Sequence, residues 1–152
     1  MIEIKNIKGD VIYKHYEESL DRSDLTYEKL TGADLSNSDL SNADLSYADF
    51  FGADLTGANL SNCNLRSAIL TNANLKFANL NGASLTNANL SDTDLSKADL
   101  SNCNLRCADL TGASLRFAIL NGANLSNADL TGASLEHADL TGANFLSKGV
   151  MI

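Results

Sequence analysis

The chain has 152 residues, room for one domain with a sizeable core, and a formal net charge of −8 with a pI near 4.5. That balance excludes a protein that grips phosphate backbones through clustered Lys and Arg. Hydrophobic residues make up 44%, but Leu and Ala dominate them, aromatics are 6% and Trp and Pro are absent, so burial must come from many small equal contributions, for which repetition is the expected source.

No stretch approaches the roughly 20 apolar residues of a membrane span. The opening Met1-Ile2-Glu3-Ile4-Lys5 lacks the apolar core of a signal peptide, so a cytoplasmic location is expected. Three cysteines without a Cys-x-x-Cys and two histidines give neither a disulfide framework nor a zinc pattern.

Residues 1–18 are predicted to form a cap. Ile2-Glu3-Ile4-Lys5 and Val11-Ile12-Tyr13-Lys14 flank Lys8-Gly9-Asp10 and read as a short β-hairpin. From Leu20 a large apolar residue falls at every fifth position without a break, to Leu140 and Phe145. From Ala33 the residue two before it is nearly always small; Ser38, Cys63, Thr93 and Cys103 are the exceptions to Ala. Units ending at Leu20, Leu25 and Leu30 carry Glu18, Ser23 and Glu28 in that slot and read as a transitional coil.

A period of five smears an apolar stripe around an α-helix, which turns about 100° per residue. In a straight strand it would flip every second Leu to the other face. Both conflicts vanish if the chain runs extended for about three residues and then bends. In Ala33-Asp34-Leu35 the outer two point inward and Asp34 points out; pairs such as Thr31-Gly32, Ser41-Asn42 and Thr111-Gly112 supply the bend.

A chain that bends the same way at every unit coils. Ser61-Asn62-Cys63-Asn64-Leu65-Arg66 recurs as Ser101-Asn102-Cys103-Asn104-Leu105-Arg106, and Lys76-Phe77-Ala78 as Arg116-Phe117-Ala118. This shift of forty fits two turns of a four-sided coil and no whole number of three-sided turns, which favours twenty residues per turn.

The run of Ala-Asp/Asn-Leu followed by Ser/Thr-Gly/Asn resembles the pentapeptide-repeat proteins, over roughly residues 31 to 145 and more than twenty consecutive units in register. The resemblance implies an all-β fold: a right-handed quadrilateral β-helix with four pentapeptides per coil. The solenoid is expected over residues 19–146 in about six coils, a rod of roughly 30 Å at the spacing of paired strands.

Residues 147–152 form a tail ending in three apolar residues. Two readings stand: the tail folds over the last coil, or Phe145, Leu146, Val150, Met151 and Ile152 pack against their copies in a twofold dimer. The resemblance supports the second, since some relatives dimerise through this end.

Catalytic chemistry is not expected. Asp34 with Asp54, Asp24 with Asp44, and Asp109 with Asp129 should stack one coil apart, but on outer walls where they are expected to bond corner backbone. Cys63 and Cys103 read as buried thiols in the Ala slot, and Cys107 as exposed with no His beside it. No Gly-x-Ser-x-Gly or phosphate-cradling loop occurs, so no cofactor and no metal are expected.

One outward column departs from Asn and Gly. Phe77, Lys97, Phe117 and His137 should stack in line, with Lys76, Arg116 and Glu136 alongside, a candidate contact ridge for another protein. Tyr27 with Tyr47, Phe51, and Arg66 with Arg106 occupy other corners and walls. The leading expectation is a non-enzymatic scaffold with a protein partner and no direct nucleic-acid or membrane binding. The alternative implied by the resemblance is an acidic DNA mimic that binds, inhibits or protects DNA gyrase or another topoisomerase.

Overall fold

A computed structural model describes residues 1–146. Strands β1 (Ile2–Asn6) and β2 (Val11–His15) form an antiparallel hairpin, and β1 also pairs antiparallel with the short strand β3 (Ala33–Asp34) through Lys5↔Asp34 and Asn6↔Ala33. The hairpin therefore docks on one wall of the first coil. Ile4 is buried, and Ile2, Ile12 and Tyr13 pack partly buried against the same core, so Leu20, Leu25 and Leu30 are covered.

Beyond the hairpin, single parallel bridges link each outward middle residue to the one twenty positions on, from Asp24↔Asp44 to Asn124↔Asn144. Each coil thus contains four pentapeptides, the period that the forty-residue recurrence predicts. Three backbone bonds per unit join neighbouring coils: Asn72 N–H donates to Ser91 O at 3.1 Å, Leu75 N–H donates to Asp94 O at 2.7 Å, and Asn74 N–H donates to Ala53 O at 2.9 Å. Within the bend, Ala78 N–H donates to Leu75 O at 3.1 Å.

The Leu ladder fills the axis. From Leu25 to Leu120 every large apolar residue at the fifth position is fully or almost fully buried, with the Ala ladder beside it. Each such Leu contributes about 2 kcal/mol of burial against chain entropy. Three of the groups that stand in for Ala are satisfied: Thr93 Oγ1 donates to Leu70 O at 2.8 Å, and Cys63 and Cys103 Sγ donate to Leu40 and Leu80 O at 2.8 and 2.9 Å.

The second residue of each bend is left-handed, with φ near +60° at positions such as Asn62, Asn102 and Gly82. Asn and Gly tolerate that region best, which explains their frequency there. Asn and Gly also complement each other between coils: a Cβ on Gly82 would sit 2.6 Å from Asn62 Oδ1, one coil earlier.

Candidate functional site

The bend residues are the parts of the coil that project furthest, so the column at 37, 57, 77, 97, 117 and 137 forms one longitudinal edge. Its first two members are Asn37 and Gly57; the next four are Phe77, Lys97, Phe117 and His137, all with φ between 58° and 61°. Phe77 is 58% and Phe117 47% exposed. The column resolves into two couples: Lys97 Nζ lies 5.3 Å from the Phe77 ring centroid, and the Phe117 and His137 rings stack at 4.8 Å.

The flanking column is laced by charge. Lys76 Nζ pairs with Asp94 Oδ2 at 3.0 Å, Arg116 Nη2 with Glu136 Oε2 at 2.8 Å, and Glu136 Oε1 lies 3.5 Å from His137 Nε2. Lys97 makes no ion pair among the described residues. The sequence reading missed Ile119. It projects between Asp99 and Asp139 on the adjoining wall, 41% exposed, two residues after Phe117. An Ile where units carry Asp, Asn or Ser was the available signal; Ile69 is its counterpart on the opposite wall.

Tyr27 and Tyr47 stack at 4.8 Å with 10° between their planes, and Phe51 is exposed at another corner. The Asp ladders are structural. Asp24, Asp34, Asp39 and Asp44 each accept through Oδ1 from the amide two residues on, at 3.0 to 3.2 Å. Hydrogen bonds from the Thr26 hydroxyl and amide hold the Asp24 carboxyl below its ordinary range. Burial alone would raise Asp44, but bonds from Ser46 and Asn64 outweigh it and lower it. At Asp94 burial is likewise outweighed by Ser96 and Lys76.

Burial pushes the Cys63 and Cys103 thiols up to about 12, so both stay protonated and unreactive near neutrality. Cys107 is exposed at a bend. Among the described residues there is no pocket, no cluster of three or more His, Cys, Asp or Glu suited to a metal ion, and no helix long and apolar enough to cross a membrane.

The two ends differ. The hairpin seals the first coil, whereas Leu130, Leu135 and Leu140 of the last full coil are only partly buried, and Phe145 and Leu146 are 46% and 75% exposed. The remaining members of the expected end contact, Val150, Met151 and Ile152, lie outside the described residues.

A family model for pentapeptide repeats matches in eight copies, over residues 19–57, 48–87, 68–106, 83–116 and 108–145. The chain belongs to the pentapeptide-repeat family. A pentapeptide-repeat protein of the Arabidopsis thaliana thylakoid lumen is 36% identical with a TM-score of 0.59, over 60% of this chain and 64% of that one. The chain thus spans 64% of that relative's length. HetL of the cyanobacterium Nostoc, a pentapeptide-repeat protein involved in regulating heterocyst differentiation, is 34% identical over 80% of this chain and 72% of its own, with a TM-score of 0.36. QnrB1, a plasmid-mediated fluoroquinolone resistance protein, is 24% identical over 84% of each chain, with a TM-score of 0.35. No curated protein matches the chain. Family membership makes the fold a repeat β-helix, mostly short strands.

Proposed function

We propose that the chain is a non-enzymatic scaffold that binds another protein through the edge of Phe77, Lys97, Phe117 and His137, with Lys76 and Arg116 beside it. The observation that carries this reading is positional. Over four consecutive coils this edge holds large side chains in the left-handed conformation, where two of the other three edges keep almost entirely to Asn, Asp and Gly. Such residues are disfavoured there by about 1 kcal/mol or more. Exposed aromatics beside cations supply contact area and cation–π attraction at interfaces. Pentapeptide-repeat proteins are generally structural or binding proteins, which supports the same reading.

The test is capture by immobilised chain, comparing the parent with a Phe77→Ser/Phe117→Ser variant of matched melting temperature. A partner held by the parent and lost by the variant supports the edge; undiminished capture rejects it. The DNA-mimic alternative draws on the net charge of −8, but mimicry calls for an acidic wall that continues along the rod. Among the outward middle residues each ladder is interrupted, as in Asp24, Asp44, Asn64, Ser84, Asn104 or Asp39, Asn59, Asn79, Asp99, Ile119. A gyrase supercoiling assay without effect at micromolar protein removes it.

We further propose a twofold contact of two chains through the C-terminal coil, at the exposed Phe145 and Leu146. The half-buried Leu130, Leu135 and Leu140 support it, and the hairpin on the other end would stop growth at two. A right-handed quadrilateral coil accords with the twenty-residue spacing and with the hand that parallel strand crossovers prefer.

A further inference from the structure

Folding at twenty residues per coil sorts the charge. One wall, with the corner on each side of it, is made by residues 61–67, 81–87, 101–107 and 121–127 and continues into 141–146. These stretches contain no Asp or Glu, in a chain that has 19 of them. Their only charges are Arg66 and Arg106, both exposed at the same corner column, and neither guanidinium makes an ion pair among the described residues. Lys76 and Arg116, on the diagonally opposite edge, are both paired.

The carboxylates around this stretch are Asp44, one coil earlier on the same ladder, where its Oδ1 accepts from Asn64 Nδ2 at 3.0 Å, Asp49, Asp109 and Asp129 on one adjoining wall, and Asp99 and Asp139 on the other; exposed charges further off than about 8 Å are largely screened at physiological salt. No exposed large apolar side chain lies on the wall within residues 61–127. It therefore lacks the anchors on which a hydrophobic protein interface depends and differs in kind from the aromatic edge.

Its remaining groups are hydrogen-bond donors and acceptors. Asn104 and Asn124 use Oδ1 to accept from the amides of Arg106 and Ser126, which leaves each Nδ2 without a partner among the described residues. Arg66 and Arg106 are two coils apart, about 10 Å along the axis. A polyproline II segment has three residues per turn and rises about 9.3 Å per turn, and its backbone carbonyls have no internal partners. Carboxylates at every third residue of such a segment match the two guanidiniums, each able to take a carboxylate with two parallel bonds. We propose that this wall binds an extended acidic peptide laid along the rod, its carboxylates on Arg66 and Arg106 and its carbonyls on the Asn104 and Asn124 amides.

The probe is a fluorescein-labelled peptide of four Glu-Pro-Pro units, followed by anisotropy at low and physiological salt, with the Gln-Pro-Pro peptide as control. The expected result is binding that weakens with salt, falls about ten-fold in Arg66→Gln and again in Arg106→Gln, and is unchanged in Lys97→Gln on the aromatic edge. Because both guanidiniums are unpaired, the variants should melt with the parent. Absence of binding at millimolar peptide in low salt, equal binding of the Gln peptide, or indifference to both substitutions would overturn the proposal. So would tighter binding of an oligouronate or a single-stranded oligonucleotide of equal charge. Loss of the aromatic-edge partner in Phe77→Ser/Phe117→Ser bears on the other surface alone, so the two readings fail separately.

Discussion

Replacing one axial leucine by aspartate in two different coils separates the inside of the rod from its partly buried last coil. Leu75 is fully buried; Leu75→Asp removes about 2 kcal/mol of burial and strands a carboxylate in the axis without a partner, at several kcal/mol more. Together these approach the 5–15 kcal/mol that stabilises a typical domain. Coils on both sides of Leu75 bond to its own through Leu75 N–H and Asn74 N–H, so stacking should fail in both directions. Leu140, by contrast, lies in the partly exposed last coil, where a carboxylate reaches water, and the cost should be about 1 kcal/mol. Far-UV circular dichroism melts should show Leu75→Asp largely unfolded at 25 °C. Leu140→Asp should be folded and, by sedimentation, half the mass of the parent. A Leu75→Asp protein that melts like the parent would refute the axial placement of the ladder, and an unchanged mass for Leu140→Asp would refute the twofold contact.

Three further outcomes follow from the same geometry. Gly52→Ala and Gly82→Ala both force Ala into a left-handed φ, of +62° and +70°, but only Gly82 has a neighbour in the way, Asn62 Oδ1 at 2.6 Å. Thermal melts should therefore show Gly82→Ala the more destabilised by about 1 kcal/mol, the cost of turning Asn62 off its rotamer, with Asn62→Gly abolishing the difference. A disulfide reagent at neutral pH should label Cys107 rapidly and reach Cys63 and Cys103, held at about 12, only after denaturation; fast labelling of all three contradicts their burial. The carboxyls of Asp24, Asp39, Asp44, Asp94, Asp129 and Asp139 are lowered by hydrogen bonds from their bends. Their contribution is present above the unfolded value of about 3.9 and is lost as pH falls through the lower folded values. Melting temperature should be flat between about pH 5 and 7 and decline below about 4; a rise on acidification would contradict this.

Much of the architecture was legible in the chain because the five-residue pattern excludes a straight helix and a straight strand at once. The run from Leu35 to Leu140 could be placed inside, Asp34 and its equivalents outside, and the forty-residue recurrence of the Arg66 and Arg106 segments pointed to the twenty-residue coil that the parallel bridges display. The aromatic edge was also visible as a column. Its division into a Lys97–Phe77 couple and a Phe117–His137 couple was not, because side-chain rotamers above a bend depend on which neighbours are long enough to meet.

Periodicity alone thus determined which side chains share the axis, since inward and outward directions are local consequences of where the backbone bends. The left-handed bends, the antiparallel seat of β1 on β3, the exposure of Leu130, Leu135 and Leu140, and the stretch of one wall that lacks carboxylates from residue 61 onward belong to the tertiary structure. Each depends on what lies one coil above or below. Along the chain Arg66 and Arg106 are separated by acidic segments such as Asp92-Thr93-Asp94; only coiling carries those acids to other walls and leaves the two guanidiniums facing the same water.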